Sequence, residues 1–223
     1  MKRRDADEAA ALLQRALAAL LAVPGDMSTT AAATLRRDAD GLGAEAGMRV
    51  RAGNLGQRLA SCFETARAAG GTFDGFEAVR AAIMLEEPQG QPAVAVHAAC
   101  LRLVLAQQAL VISDGTFTSR EDVDRILARV NAAFEASIDF AADNSDGLTY
   151  QSLIILHAAV VRDLQDRSRP LPRMVAYGFG RSFPALVLAN RLYGDAGRSD
   201  ELIDENKSLH PLFMSQSIRA LSA

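Results

Sequence analysis

LVLANRLYGDAGRSDELIDENKSLHPLFM, residues 186–214, decides the fold at the C-terminal end of this chain. Two short helical patterns meet at a Gly194-Asp195 corner and leave through Asn206-Lys-Ser-Leu-His-Pro211. Ser182 is the predicted N-cap of the first, with Pro184 in its first turn, and the helix runs to about Leu192. Ser199 is predicted to cap the second, which runs to about Asn206. Upstream, Met174, Val175, Tyr177 and Phe179 read as a short strand, and Ser217–Leu221 alternates enough for another. Residues 171–223 therefore predict a compact β-α-α-β module behind an Arg169-Pro170-Leu171-Pro172 linker.

Working outward from that module, residues 1–168 predict a helical bundle. Leu12, Leu13, Ala16, Leu17, Leu20 and Leu21 recur at helical spacing until Pro24-Gly25. Helices are expected near 29–40 and 47–69, then from Phe76 to Leu85. Glu86–Pro92 is a loop, because each proline disfavours helix at the residue before it. Ala93–Ile112 is apolar nearly all round, as a central helix requires. Its His97, Arg102, Gln107 and Gln108 would be costly in lipid, so no membrane span is expected. Thr118 and Glu121 suggest a capping box for a helix from 119 to about 142. Tyr150, Leu153, Ile154, His157, Val160, Val161 and Leu164 form the stripe of the next helix. The fold class is mainly α, a bundle followed by a small α+β module.

Composition supports that class. Ala and Leu dominate, Trp is absent, and 49% of the 223 residues are apolar, enough for a sizeable core. The net charge of −3, with both signs interspersed, argues against a large phosphate-binding surface. Cys62 and Cys100 sit in apolar helical patterns and are expected to be buried free thiols. No secretion signal is expected at the N-terminus.

The sequence offers no catalytic, cofactor-binding or metal-ligating residues. His97, His157 and His210 stand apart from one another, so they are expected in core, interface or loop roles. Ser182 and Ser199 lack a neighbouring His and are read as caps. Gly178-Phe179-Gly180-Arg181 lacks the third glycine of a dinucleotide loop. In Tyr193-Gly194-Asp195, glycine ends a helix, aspartate bonds the turn and tyrosine packs across the module. The acids at 195, 200, 201, 204 and 205 lack calcium-loop spacing, and those in the first turn of the 200–206 helix suit its N-terminus. Tyr193, Asp195, Asn206, His210, Leu212, Phe213 and Met214 are the candidate partner-docking residues. Arg162, Arg167, Arg169, Arg173 and Arg181 are candidate nucleic-acid contacts, partly neutralised by Asp163 and Asp166. An enzyme is not expected.

Several segments in order carry a family resemblance. They are Phe117-Thr118-Ser119-Arg120-Glu121-Asp122, Tyr150-Gln151, Ala159–Leu164, Leu186–Asp195, Asp200-Glu201-Leu202-Ile203, Asn206 and His210-Pro211-Leu212-Phe213. Together they resemble the C-terminal half of the DNA circularisation proteins of Mu-like tailed phages, over roughly residues 73–214. That resemblance implies a virion component of the tail or baseplate hub, assembling with other tail proteins in the host cytoplasm and oligomeric in the finished tail. The family name implies the alternative of a DNA-binding or end-protecting protein. Two departures stand out: the family usually carries a β-rich domain ahead of this region, where this chain has helix, and Ser215-Gln216-Ser217 replaces its Gly-rich exit. The 171–223 module also resembles a LysM module, with an Asn near the end of its second helix, which implies peptidoglycan binding as a further alternative.

Overall fold

The computed structural model describes residues 3–144 and 146–222. Among them are ten α-helices and one two-stranded sheet. In order they are α1 Arg3–Leu20, α2 Thr30–Ala44, α3 Ala46–Ala52, α4 Gly56–Ala68, α5 Phe73–Met84, α6 Gln91–Asp114, α7 Arg120–Asp143, α8 Gly147–Ser168, β1 Met174–Gly178, α9 Ala185–Tyr193, α10 Ser199–Glu205 and β2 Ser217–Leu221. The chain is mainly α with a small α+β module at its C-terminal end.

By contacts it divides into two compact units, residues 1–115 with 129–160, and residues 116–128 with 161–223. The beginning of α7 and the end of α8 thus group with the C-terminal residues. A boundary drawn at the 169–172 linker does not anticipate this, since an uninterrupted helix shows no compositional break.

The first unit is a helical bundle. Leu12, Leu13, Leu17 and Leu20 of α1 share a buried cluster with Leu35 and Leu42 of α2, Leu59 and Phe63 of α4, Phe76 and Ile83 of α5, and Cys100, Leu101 and Val104 of α6. α6 is long and apolar enough to cross a membrane, but half of its most apolar stretch is buried in the bundle. Three of its polar side chains each have a protein partner: His97 Nε2 lies 2.9 Å from the Ile83 carbonyl, Arg67 donates to Gln107, and Gln108 donates to Glu77. Each bond offsets the cost of burying that atom. Cys62 and Cys100 are buried free thiols.

Four local expectations are corrected. The helix expected over 47–69 is two helices, because Gly53 takes a left-handed φ of 66° and ends α3. The cap of α7 is one residue later than expected: Ser119 Oγ accepts from the Asp122 amide, while Glu121 accepts from the Met174 amide. Ser182 does not cap α9; its hydroxyl donates to the Met214 carbonyl, and Pro184 holds the cap position. Ser199 lies inside α10, and Asp195 caps the short 3-10 turn Ala196–Arg198 ahead of it. On α8, Leu153, Val160 and Leu164 are buried as expected, whereas Tyr150 and Ile154 remain exposed.

Candidate functional site

In the second unit, β1 and β2 pair antiparallel with Met174 opposite Leu221 and Gly178 opposite Ser217. The helices between them supply a core of Ala185, Leu188, Ala189 and Leu202, closed by Met214, Ile218 and Ala220. Gly194 ends α9 with φ 70°, and Asp195 accepts from the Gly197 amide, as the Gly-Asp corner predicts.

The docking candidates fall into two groups. Tyr193, Asp195 and Asn206 serve the fold. Tyr193 Oη accepts from the Leu221 amide at 3.1 Å. Asn206 donates to the carbonyls of Leu202 and Arg219 and accepts from the Arg219 amide, clamping α10 to β2. No local pattern announces that clamp, because its partner lies thirteen residues on. Met214, expected on the surface, is only 1% exposed: its amide donates to Phe183 and its side chain fills the core.

The exit loop is different. The Ala185 amide donates to the Pro211 carbonyl at 2.7 Å, setting the loop beside the first turn of α9. His210 Nδ1 accepts from the Leu212 amide, and the His210 carbonyl accepts from Phe213. These bonds fix the backbone while Leu209 is fully exposed, Leu212 is 54% exposed and Phe213 is 71% exposed. Leu186 and Val187 in the adjoining turn of α9 are exposed as well. Exposed leucine is ordinary, but several large apolar side chains around a pinned loop form the kind of patch that partners cover.

The arginine candidates separate by partner. Arg167 pairs with Asp163 at 3.2 Å and lies over the Phe117 ring, and Arg169 pairs with Asp166 at 3.2 Å. Arg162, Arg173 and Arg181 are exposed and make no ion pair among the described residues. Arg181 and Arg191 both stack on Phe183, at 4.8 and 4.3 Å from its centroid.

A cleft of about 360 Å³ is lined by Thr118, Met174, Tyr193, Glu201, Asp204, Glu205, Ala220 and Leu221. Glu201 is held by Nε and Nη2 of Arg198, each at 2.9 Å, and Glu205 stands 3.8 Å from Arg219. Burial, chiefly, raises the Tyr193 phenol above its ordinary value of 10, so it stays protonated at neutral pH. Among the described residues no group of three His, Cys, Asp or Glu converges as metal ligands would. The cleft holds no histidine or cysteine, so its lining presents carboxylates and a protonated phenol without a nucleophile–imidazole pair.

No protein-family profile matches the chain. Over 95 residues, 43% of the chain, it is 32% identical to the Mu-like prophage FluMu DNA circularization protein of Haemophilus influenzae. The matched stretch spans 21% of that protein's length.

Proposed function

We propose that the chain is a structural component of a Mu-like phage or prophage tail, built into the baseplate or hub by protein–protein docking and acting without catalysis. The phage setting is supported by the similarity to the FluMu protein. The docking mode is carried by the exit loop, whose backbone hydrogen bonds present Leu209, Leu212 and Phe213 to solvent. A leucine–phenylalanine cluster on a rigid support loses little conformational freedom on binding, and such side chains commonly anchor interfaces. Other tail proteins are the partners, met in the host cytoplasm and retained in the virion.

The double substitution Leu212→Ser with Phe213→Ser tests this. Both side chains are exposed, so the unfolding midpoint should be unchanged while incorporation into tails is lost. Tails that carry the variant at the normal level overturn the reading.

The relative's name favours a second reading, in which the chain binds DNA through the exposed Arg162, Arg173 and Arg181. Retention of linear duplex that falls steeply with salt supports it; no retention at low salt removes it. The β-α-α-β order also suits a peptidoglycan-binding module, which retention on purified peptidoglycan tests.

A further inference from the structure

The two strands of the C-terminal sheet treat their outer edges differently. Phe179 donates to Gln216, and Ser222 donates to Arg173. With the register of the pair, this makes 175–220 and 177–218 the hydrogen-bonded pairs. The amides and carbonyls of residues 174, 176 and 178 on β1, and of 217, 219 and 221 on β2, therefore point away from the partner strand.

On β2 all three outward amides and the Arg219 carbonyl are taken. Asn206 takes both the amide and the carbonyl of Arg219, Tyr193 Oη takes the Leu221 amide, and Ser215 Oγ takes the Ser217 amide. On β1, Glu121 takes the Met174 amide, and there the protection stops. Ala176 and Gly178 are exposed, and their outward amides and carbonyls have no partner among the described residues. An open edge of this kind is a template for another strand. A Cβ added at Gly178 would meet nothing within 4 Å, so the backbone there stands in open space. In sequence Arg173 and Arg181 flank the open stretch, one before and one after, both exposed and without an ion pair among the described residues, while the Glu121 carboxylate stays engaged at the Met174 amide.

We propose that the outer edge of β1 accepts an extended, acidic segment of a partner protein as a third strand. The segment's N–H and C=O groups pair with Ala176 and Gly178, and its carboxylates meet Arg173 and Arg181. Charge argues against a second copy, and hydrogen-bonding capacity against nucleic acid. A second copy pairing β1 antiparallel with β1 would bring two Arg173 and two Arg181 side chains to one seam. A nucleic-acid backbone would satisfy the arginines and the amides, but phosphate oxygens only accept and would leave the Ala176 and Gly178 carbonyls unpaired. The residues of this edge are not those of the exit loop, and the inference stands whether or not the chain belongs to a phage tail.

The test uses the full chain, isotopically labelled, and an acetylated peptide of alternating valine and glutamate about eight residues long, the length of an ordinary strand. The peptide should slow hydrogen exchange at the Ala176 and Gly178 amides, and raising the salt should weaken it. A valine–lysine peptide should leave both amides unprotected. Ala176→Pro removes an N–H that the sheet does not use, so it should keep the unfolding midpoint and lose peptide binding. Arg173→Glu with Arg181→Glu should weaken binding about tenfold. Should the proline variant fail to fold, exchange at the two amides of the unsubstituted chain decides alone. No protection by the acidic peptide, equal protection by the lysine peptide, or undiminished binding to a folded Ala176→Pro chain overturns the proposal. So does a dimer that Ala176→Pro dissociates, or protection of the same amides by duplex DNA.

Discussion

At the scale of single residues, His97 shows how burial turns a side chain into a pH-dependent contribution to stability. It is 1% exposed, its ring centroid lies 4.3 Å from that of Phe140, and Nε2 faces the Ile83 carbonyl. With Nε2–H donating to that carbonyl, Nδ1 is the unprotonated nitrogen, and it has no partner among the described residues. Burial holds the folded pKa below 6.5, although the Ile83 carbonyl and the charge of Glu86 pull the other way. The folded chain therefore resists a proton that the unfolded chain takes up as pH falls through 6.5. The contribution is fully present above that pH and is lost below it, down to the folded value. Urea midpoints should accordingly fall between about pH 7 and 5.5, and His97→Gln, which keeps a donor for Ile83, should flatten that slope. A slope unchanged by the substitution would contradict the assignment. Glu77, where burial is outweighed by hydrogen bonds from Arg80 and Gln108, and Glu86, held low by Arg15, act in a separate window, since their stabilisation is lost only as pH falls below about 4.5.

At the scale of elements, the cap of α7 supplies a discriminating comparison. Ser119 is 1% exposed and its Oγ accepts from the Asp122 amide, whereas Thr118 is exposed and donates to the Asp122 carboxylate. Ser119→Ala should cost about 1 kcal/mol, the usual value of an N-cap, and Thr118→Ala within roughly 0.5 kcal/mol of nothing. Chemical denaturation of the two variants checks this, and the reverse order would move the cap back by one residue. The same pair shows what the sequence makes legible. Two adjacent hydroxyl residues locate a helix start, but only the backbone decides which one caps it. The alternation in β2 is readable because its period matches a strand, and the apolar run of α6 because it is too long for one. The break at Gly53 is hidden, because Gly41, Gly43 and Gly47 nearby are all accommodated within helices. Met214 reads as an extension of the exposed Leu212-Phe213 pair, yet its amide reaches Phe183 and turns its side chain inward. Asn206 gives the least warning, since a clamp on Arg219 exists only once β2 has come back to α10.

At the scale of the whole molecule, the cysteines report on one unit alone. Cys62 and Cys100 both lie in the buried cluster of the first unit, and the second contains none. Burial raises the Cys62 thiol to about 11, with the Asp38 charge adding to it, and raises Cys100 to about 12. Two obstacles therefore protect each sulfur, lack of access and scarcity of thiolate, and opening of the bundle removes both. A thiol reagent at pH near 8 should leave the folded chain unlabelled over a period in which urea-unfolded chain reacts completely. As urea is raised, both cysteines should label at one common rate, because α4 and α6 meet in the same core and open together. Mass spectrometry of the two peptides separates the outcomes. Rapid labelling of Cys62 alone would mean that α4 leaves the bundle while α6 stays packed, and the first unit would then be two cooperative pieces rather than one. Tyr177 and Tyr193 lie in the second unit and Tyr150 in the first. Hydrogen exchange at the Leu221 amide, held by Tyr193, therefore follows the second unit in the same sample. Comparing it with the thiols shows whether the two units unfold at one denaturant concentration or at two.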